Sequence, residues 1–198
     1  MKSVGVLISG RGSNLQALLD AQDAPGAYRI VRVISNVEGA LGLERARAAG
    51  IDALTIPHQG KPREAFEREL DAALQGCDLV ALAGFMRVLS PWFVTAWSGR
   101  VLNIHPSLLP SFPGRDTHER ALAAGVKLHG CTVHVVTEAL DAGPIIGQAA
   151  IPVLRDDTPE LLAARLLDAE HLLYPRALAA FAKGEAALLE KPLLSAWT

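Results

Sequence analysis

Cysteine is scarce in this chain of 198 residues, and Cys77 and Cys131 are its only examples. A disulfide framework is not expected from them, and no CxxC pair offers a metal-ligand spacing. A surplus of one charge is missing too: 19 Lys and Arg face 21 Asp and Glu, a net of −2. That gives no reason to expect nucleic acid or an anionic membrane as a partner. Long apolar runs are also absent. The longest, residues 79–86, falls short of the ~18 residues of a membrane span and reads as a buried strand plus a turn. The first apolar run, residues 4–8, is too short for a signal peptide, so the expected location is cytoplasmic. Hydrophobic residues are plentiful, 50% against 20% charged, enough for a large core. With no repeat, low-complexity tract or linker, a single domain over 1–198 is expected.

Short apolar runs alternate with helical patterns. Residues 4–9, 30–34, 53–56, 79–83 and 101–104 read as strands. Between them lie helices over 15–20 (with Asn14 as N-cap), 41–49 (ending at Gly50) and 63–74 (opened by Pro62, ended near Gly76), and one opened by Ser90-Pro91. This rhythm predicts an α/β fold with a mostly parallel, Rossmann-like, doubly wound sheet. After residue 110 the character changes. A loop over 111–114 and a short helix over 118–124 precede strands at 130–136 and 145–153, close enough to pair antiparallel. A long helix follows from Pro159 to about Lys183, with Pro175 ending or kinking it.

Three segments carry chemistry. Asn103-Ile104-His105-Pro106-Ser107-Leu108-Leu109-Pro110 places an amide and an imidazole on one face of a strand end, with two prolines to stop the strand. Leu140-Asp141-Ala142-Gly143-Pro144 offers a carboxylate in a turn. An amide, a basic ring and a carboxylate at strand ends are the parts needed to stabilise an oxyanion and move protons. The third segment, Ser9-Gly10-Arg11-Gly12-Ser13-Asn14, joins the first strand to the first helix, where backbone N–H groups and the helix N-terminus attract an anion. Leu15 stands where a dinucleotide loop has its third glycine, and no Gly-Lys-Ser/Thr follows, which favours a single phosphate over a pyrophosphate.

On these segments, together with 82–87, 129–134, Glu170-His171 and Tyr174-Pro175, the chain resembles the folate-dependent phosphoribosylglycinamide formyltransferases from residue 2 to about 183. The resemblance implies a nucleotide-binding half over 1–100 and a folate-binding, catalytic half over 101–198. It implies Asn103, His105 and Asp141 as the catalytic trio. Gly12, Ser13 and Asn14 would hold the ribonucleotide phosphate, and Glu170 would pair with the acceptor's amine. Met86, Arg87 and Leu89 would line the pterin cleft, with Glu138, Leu140 and Asp141 on a loop closing over it. The cosubstrate would be 10-formyltetrahydrofolate, with no metal, and the protein a monomer or homodimer. In such a site Asn103 and a protonated His105 donate to the formyl oxygen, while Asp141 holds the cation and accepts the amine's proton.

Thr132 and His134 share a strand face, which gives them a supporting role or a place as hydrogen-bonded core residues. His118 and His129 lie about the short helix. There the chain departs from the family pattern, with Arg115-Asp116 where many members have a hydrophobic residue and a histidine. Leu167 likewise stands where some members carry a polar or basic residue near the phosphate. His58 is expected to be solvated and Arg63 to lie on the surface. A metal site from His105, His134 and Asp141 has no supporting spacing. Among competing readings, a formyltetrahydrofolate hydrolase would be expected to carry an N-terminal regulatory domain, and a methionyl-tRNA formyltransferase a basic C-terminal one. An NAD-dependent module, with Glu38 as its ribose-binding acid, lacks the third glycine.

Overall fold

The computed structural model describes residues 1–22 and 26–185 and the backbone of Leu193–Leu194. Residues 186–192 and 195–198, at the end of the expected domain, lie outside the described residues. In chain order the elements are β1 (Lys2–Ile8), α1 (Ser13–Ala21), β2 (Tyr28–Ser35), α2 (Leu41–Ala48), β3 (Asp52–Thr55), α3 (Arg63–Ala73) and β4 (Leu79–Leu82). They continue with α4 (Pro91–Ala96), β5 (Val101–His105), α5 (Thr117–Ala123), β6 (Leu128–Val135), β7 (Ile145–Pro152), α6 (Pro159–Lys183) and β8 (Leu193–Leu194).

The strands form one sheet in the order β3-β2-β1-β4-β5-β6-β7-β8. From β3 to β5 all neighbours are parallel, and β6 alone runs against both of its neighbours. The expected antiparallel pair is therefore present as β6 with β7, and β6 reverses against β5 as well. The apolar sequence of β4, Leu79 to Leu82, is buried on both faces, as a central parallel strand must be. Helices cover both sides: Leu15, Leu18, Leu43 and the buried stripe of α6 pack on one face, and Phe66, Leu70, Phe93 and Trp97 on the other.

Helix α6 buries Leu162, Leu166, Ala169, Leu173 and Ala177, steps of three and four residues that make one continuous stripe. Each buried leucine contributes roughly 1.5–3 kcal/mol. Pro175 does not end this helix, which runs through it to Lys183. The ring is buried, so apolar packing offsets the missing N–H bond. Thr158 caps the start of α6 by accepting from the Leu161 N–H, and Ser90 caps α4 through the Phe93 N–H.

The direction in which strands are added reverses between β1 and β4. Crevices in open α/β sheets form at the carboxyl ends of strands where this happens. The residues after β1 are the glycine loop, and those after β4 are 83–89. Tyr174 of α6 donates its hydroxyl toward the Leu82 and Leu102 carbonyls at 3.0 and 3.2 Å, tying the long helix to the strands that end at this crevice.

Candidate active site

Strand β5 ends at His105, before Pro106, and delivers Asn103 and His105 to the crevice. The loop after β6 brings Asp141 to them. Asp141 adopts a left-handed backbone (φ 50°), a conformation aspartate tolerates better than most residues. Two residues on, Gly143 lies so close to β6 that a Cβ there would sit 1.8 Å from the Val135 carbonyl oxygen. The trio foreseen from sequence is thus assembled across some forty residues of chain.

His105 is buried, with its Nε2 3.1 Å from the Phe112 carbonyl oxygen and its Nδ1 3.4 Å from Asp141 Oδ2. A carbonyl only accepts, so Nε2 carries a proton. Nδ1 faces a carboxylate, and the imidazolium form satisfies both contacts. Asp141 Oδ2 also accepts the Gly114 N–H at 2.8 Å, so the loop after Pro110 helps to orient the carboxylate. His134 stands on the other side, with Nε2 3.7 Å from Asp141 Oδ1 and 3.3 Å from Asn103 Nδ2. Burial holds the His134 pKa below its ordinary value, which favours the neutral ring. Its Nδ1 faces the Val135 carbonyl at 3.1 Å and carries the proton, leaving Nε2 to accept from the Asn103 amide. One Asn103 N–H is thereby fixed and the other is left for a ligand.

Thr132, on the same face of β6, is a hydrogen-bond hub. Its Oγ1 donates to the Ser107 carbonyl at 2.7 Å and accepts from the Leu109 N–H and from Gln148 Nε2, both at 3.0 Å. It holds the loop after His105 and does not itself reach the trio. His129 and His118 meet behind this loop, His129 Nε2 to His118 Nδ1 at 3.2 Å, with the Phe112 ring edge-on to His129. Burial, with the nearby His118, pushes the His129 pKa down to about 4. Arg115 and Asp116 sit at the cavity rim.

A cavity of about 530 Å³ opens from Asn103 and Asp141, while His105 lies behind Asp141 and does not line it. Leu82, Phe85, Val94 and Val136 give it an apolar interior, residues 86–89 and 137–141 border it, and Asn103, His134 and Asp141 form its polar end. Met86, Arg87, Leu89, Glu138 and Leu140 all line it. Met86, Val88 and Leu140 are 74%, 58% and 59% exposed, large apolar side chains gathered along one cavity. The strand alternation does not reveal that Val88, Arg115 and Thr137 join this lining, because all three lie on loops.

A smaller cavity of about 180 Å³ lies at the glycine loop, between residues 9–14 and Ala83, Gly84 and Met86. Gly12 takes a left-handed conformation (φ 72°) as the first residue before α1. Asn14 is therefore not the N-cap expected from sequence. It lies inside the first turn, where its Nδ2 donates to Glu170 Oε2 at 2.7 Å. Its Oδ1 is buried with no partner among the described residues. Burial, partly offset by the Asn14 amide, pushes the Glu170 pKa up to about 7. Met86 lines both cavities, and Ser9 braces it: the Ser9 hydroxyl donates to Asn36 Oδ1 and accepts the Met86 N–H, at 2.6 and 2.8 Å. Ser9 was legible only as the first residue of the glycine loop, and no sequence signal pointed to Asn36.

His58 is half-buried rather than solvated, with Nδ1 3.1 and 3.2 Å from the amide and carbonyl of Asn36, and its ring edge-on to Phe66. Arg63 is exposed at the start of α3. Leu167 places no polar group on α6 beside Glu170. Among the described residues no group of three or more His, Cys, Asp and Glu side chains is placed to hold a metal ion, and no helix is long and apolar enough to cross a membrane.

The formyl transferase family matches residues 1–178 of this chain. The phosphoribosylglycinamide formyltransferase of Escherichia coli is 48% identical over 199 residues, covering 98% of this chain and 92% of that protein. The trifunctional purine biosynthetic protein adenosine-3 of Drosophila melanogaster is 53% identical over 191 residues. That match covers 93% of this chain, which spans 14% of the length of the fly protein. Among solved structures, glycinamide ribonucleotide transformylase 1 of Symbiobacterium toebii superposes with a TM-score of 0.90 at 52% identity, covering 93% of this chain and 89% of that one. By sequence over nearly its whole length and by fold, this chain belongs to the formyl transferase family.

Proposed function

We propose that the chain transfers the formyl group of 10-formyltetrahydrofolate to the glycyl amine of 5'-phosphoribosylglycinamide, a step of purine biosynthesis, in the cytoplasm. The observation that carries the reading is the placing of two cavities side by side at one sheet switch point, with Met86 lining both. An apolar cleft ends on Asn103, His134 and Asp141, with His105 behind Asp141, and a glycine-loop cradle lies beside it across Met86 and Ser9. The cleft suits a flat pterin, whose ring would cover Met86, Val88 and Leu140, while the cradle suits one phosphate.

The neutral amine attacks the formyl carbon, and negative charge gathers on the formyl oxygen. Asn103 offers its free Nδ2–H to that oxygen, because His134 holds the amide with the other N–H. The Nε2–H of His105 rests on the Phe112 carbonyl. An oxyanion is the stronger acceptor and draws that N–H from it. Asp141 balances the imidazolium and takes the proton the amine must lose, directly or through a water. The C–N bond to tetrahydrofolate then breaks, and its nitrogen leaves carrying a proton. At the other end, N–H groups of the first turn of α1, which lack intrahelical acceptors, hold the phosphate. Glu170 receives the acceptor's amine. The chain would act on these small molecules without a metal, as a monomer or homodimer.

The test is to follow deformylation of 10-formyltetrahydrofolate with and without glycinamide ribonucleotide. Turnover that requires the ribonucleotide, with formylated ribonucleotide as product, is expected. Formate release that ignores the ribonucleotide, or no turnover at all, would overturn the proposal.

A further inference from the structure

The glycine loop is braced from behind by α2. The Gly42 N–H donates to the Gly10 carbonyl at 3.1 Å, and Arg45 Nε donates to the Arg11 carbonyl at 3.0 Å. In a trans peptide the carbonyl and the next N–H point in opposite directions. Two carbonyls fixed toward α2 therefore turn the N–H groups of Arg11 and Gly12 away from it. Contact is close: a Cβ on Gly12 would lie 2.7 Å from Gly42 Cα and 3.6 Å from Arg45 Cδ.

Arg45 is itself held on a second side. Its Nη1 donates to Gln16 Oε1 at 3.1 Å, while Gln16 Nε2 donates to Asp20 Oδ1 at 2.8 Å. Asp20 thus fixes the Gln16 amide with its oxygen toward Arg45. The Nη2 of Arg45 has no acceptor among the described residues. The side chain lines a groove of about 590 Å³ that opens beside Ser13, in the first turn of α1.

We infer that Arg45 is a positioning residue for the acceptor's phosphate: it clamps the Arg11 carbonyl, aims the loop's N–H groups at the anion, and adds its own charge beside Ser13. This rests on the ribonucleotide reading above and names the residue that shapes the phosphate site.

The experiment compares the phosphorylated acceptor with its dephosphorylated riboside on the wild type, Arg45→Met and Arg45→Lys. The wild type should prefer the phosphorylated acceptor. Arg45→Met should lower kcat/KM for it about 10- to 100-fold, chiefly through KM, the range of a lost charged hydrogen bond. Its kcat/KM for the riboside and its KM for 10-formyltetrahydrofolate should not move. Arg45→Lys should recover only part of the loss, since an ammonium cannot reproduce the two-sided guanidinium clamp. Gly42→Ala should show the same selective loss, because its Cβ would meet Ile8 Cδ1 at 2.4 Å and the Gly10 oxygen at 3.3 Å and lift α2 from the loop. Equal losses for both acceptors with a lowered Tm would make Arg45 only a support of the fold and overturn the inference. So would an unchanged phosphate preference in Arg45→Met. A wild type that does not distinguish the two acceptors would overturn the ribonucleotide reading itself, and this inference with it.

Discussion

Replacing Glu170 by Gln should make the protein more stable at alkaline pH and cost it activity. Glu170 is 8% exposed, accepts one hydrogen bond from Asn14, and has its pKa raised from 4.5 to about 7, chiefly by burial. A carboxyl with a raised folded pKa binds more protons in the native than in the unfolded state. Its contribution to stability is complete below pH 4.5 and is lost as pH rises through about 7. At about 1.36 kcal/mol per pH unit, the interval amounts to roughly 3 kcal/mol. Glutamine keeps the shape and an oxygen for the Asn14 amide but never ionises. The stability of Glu170→Gln relative to the wild type should therefore climb by roughly 3 kcal/mol between pH 4.5 and pH 8, then level off. His118, His129, His134 and His171, whose pKa values are lowered by burial, contribute in the opposite sense, with stability lost as pH falls below their ordinary 6.5. They are common to both proteins and cancel in the difference. Urea unfolding followed by tryptophan fluorescence at pH 5, 6, 7 and 8 reads this directly, as a relative midpoint shift of about 1 M for an m-value of about 2–3 kcal/mol/M. A difference that stays constant with pH, or a variant less stable at pH 8 than at pH 5 relative to the wild type, would sink the argument. It would mean that the Asn14 pair keeps the carboxylate ionised at little cost. The same variant should weaken acceptor binding, because an amide oxygen accepts from the acceptor's amine less strongly than a carboxylate does.

His105→Ala and Asp141→Asn should each lower kcat about 10²–10³-fold or more while leaving Tm near the wild-type value; near-normal turnover in both would refute the catalytic assignment. Gly143→Ala should abolish turnover by forcing the Asp141 loop off β6, since the new Cβ would meet a backbone oxygen at 1.8 Å. Wild-type kinetics for that variant would show that the loop need not lie where it does. Thr132→Val leaves the Leu109 N–H and the Ser107 carbonyl without their hydroxyl partner and should cost about 1–3 kcal/mol in chemical unfolding. It should also lower kcat, through the loop that carries Phe112, and retention of both stability and kcat would refute the role of Thr132 as a prop.

Much of the molecule is written locally in its sequence. Alternating apolar runs and capped helices mark nearly every element, because strand and helix periodicity, glycine stops and proline starts are properties of neighbouring residues. Asn103 and His105 were legible as a pair for the same reason, since two residues apart on a strand means one face. Asp141, Gly12 and Ser13 stood out as turn and loop chemistry. What tertiary structure alone decided is how distant segments meet. Asn14 looked like a helix cap, but the left-handed Gly12 moves it two positions inward, into the first turn, and gives its amide to Glu170, 156 positions away. His134 became the partner that fixes the Asn103 amide only because β6 pairs antiparallel with β5 and sets them opposite each other. Pro175, which by local rules should break a helix, stays within one because its ring is buried. His58 leaves solvent for the Asn36 amide, and Arg45 reaches across to brace a loop that sequence shows merely as glycine-rich. Periodicity and turn chemistry act over a few residues. Burial, register and the closing of a crevice are set by the whole sheet.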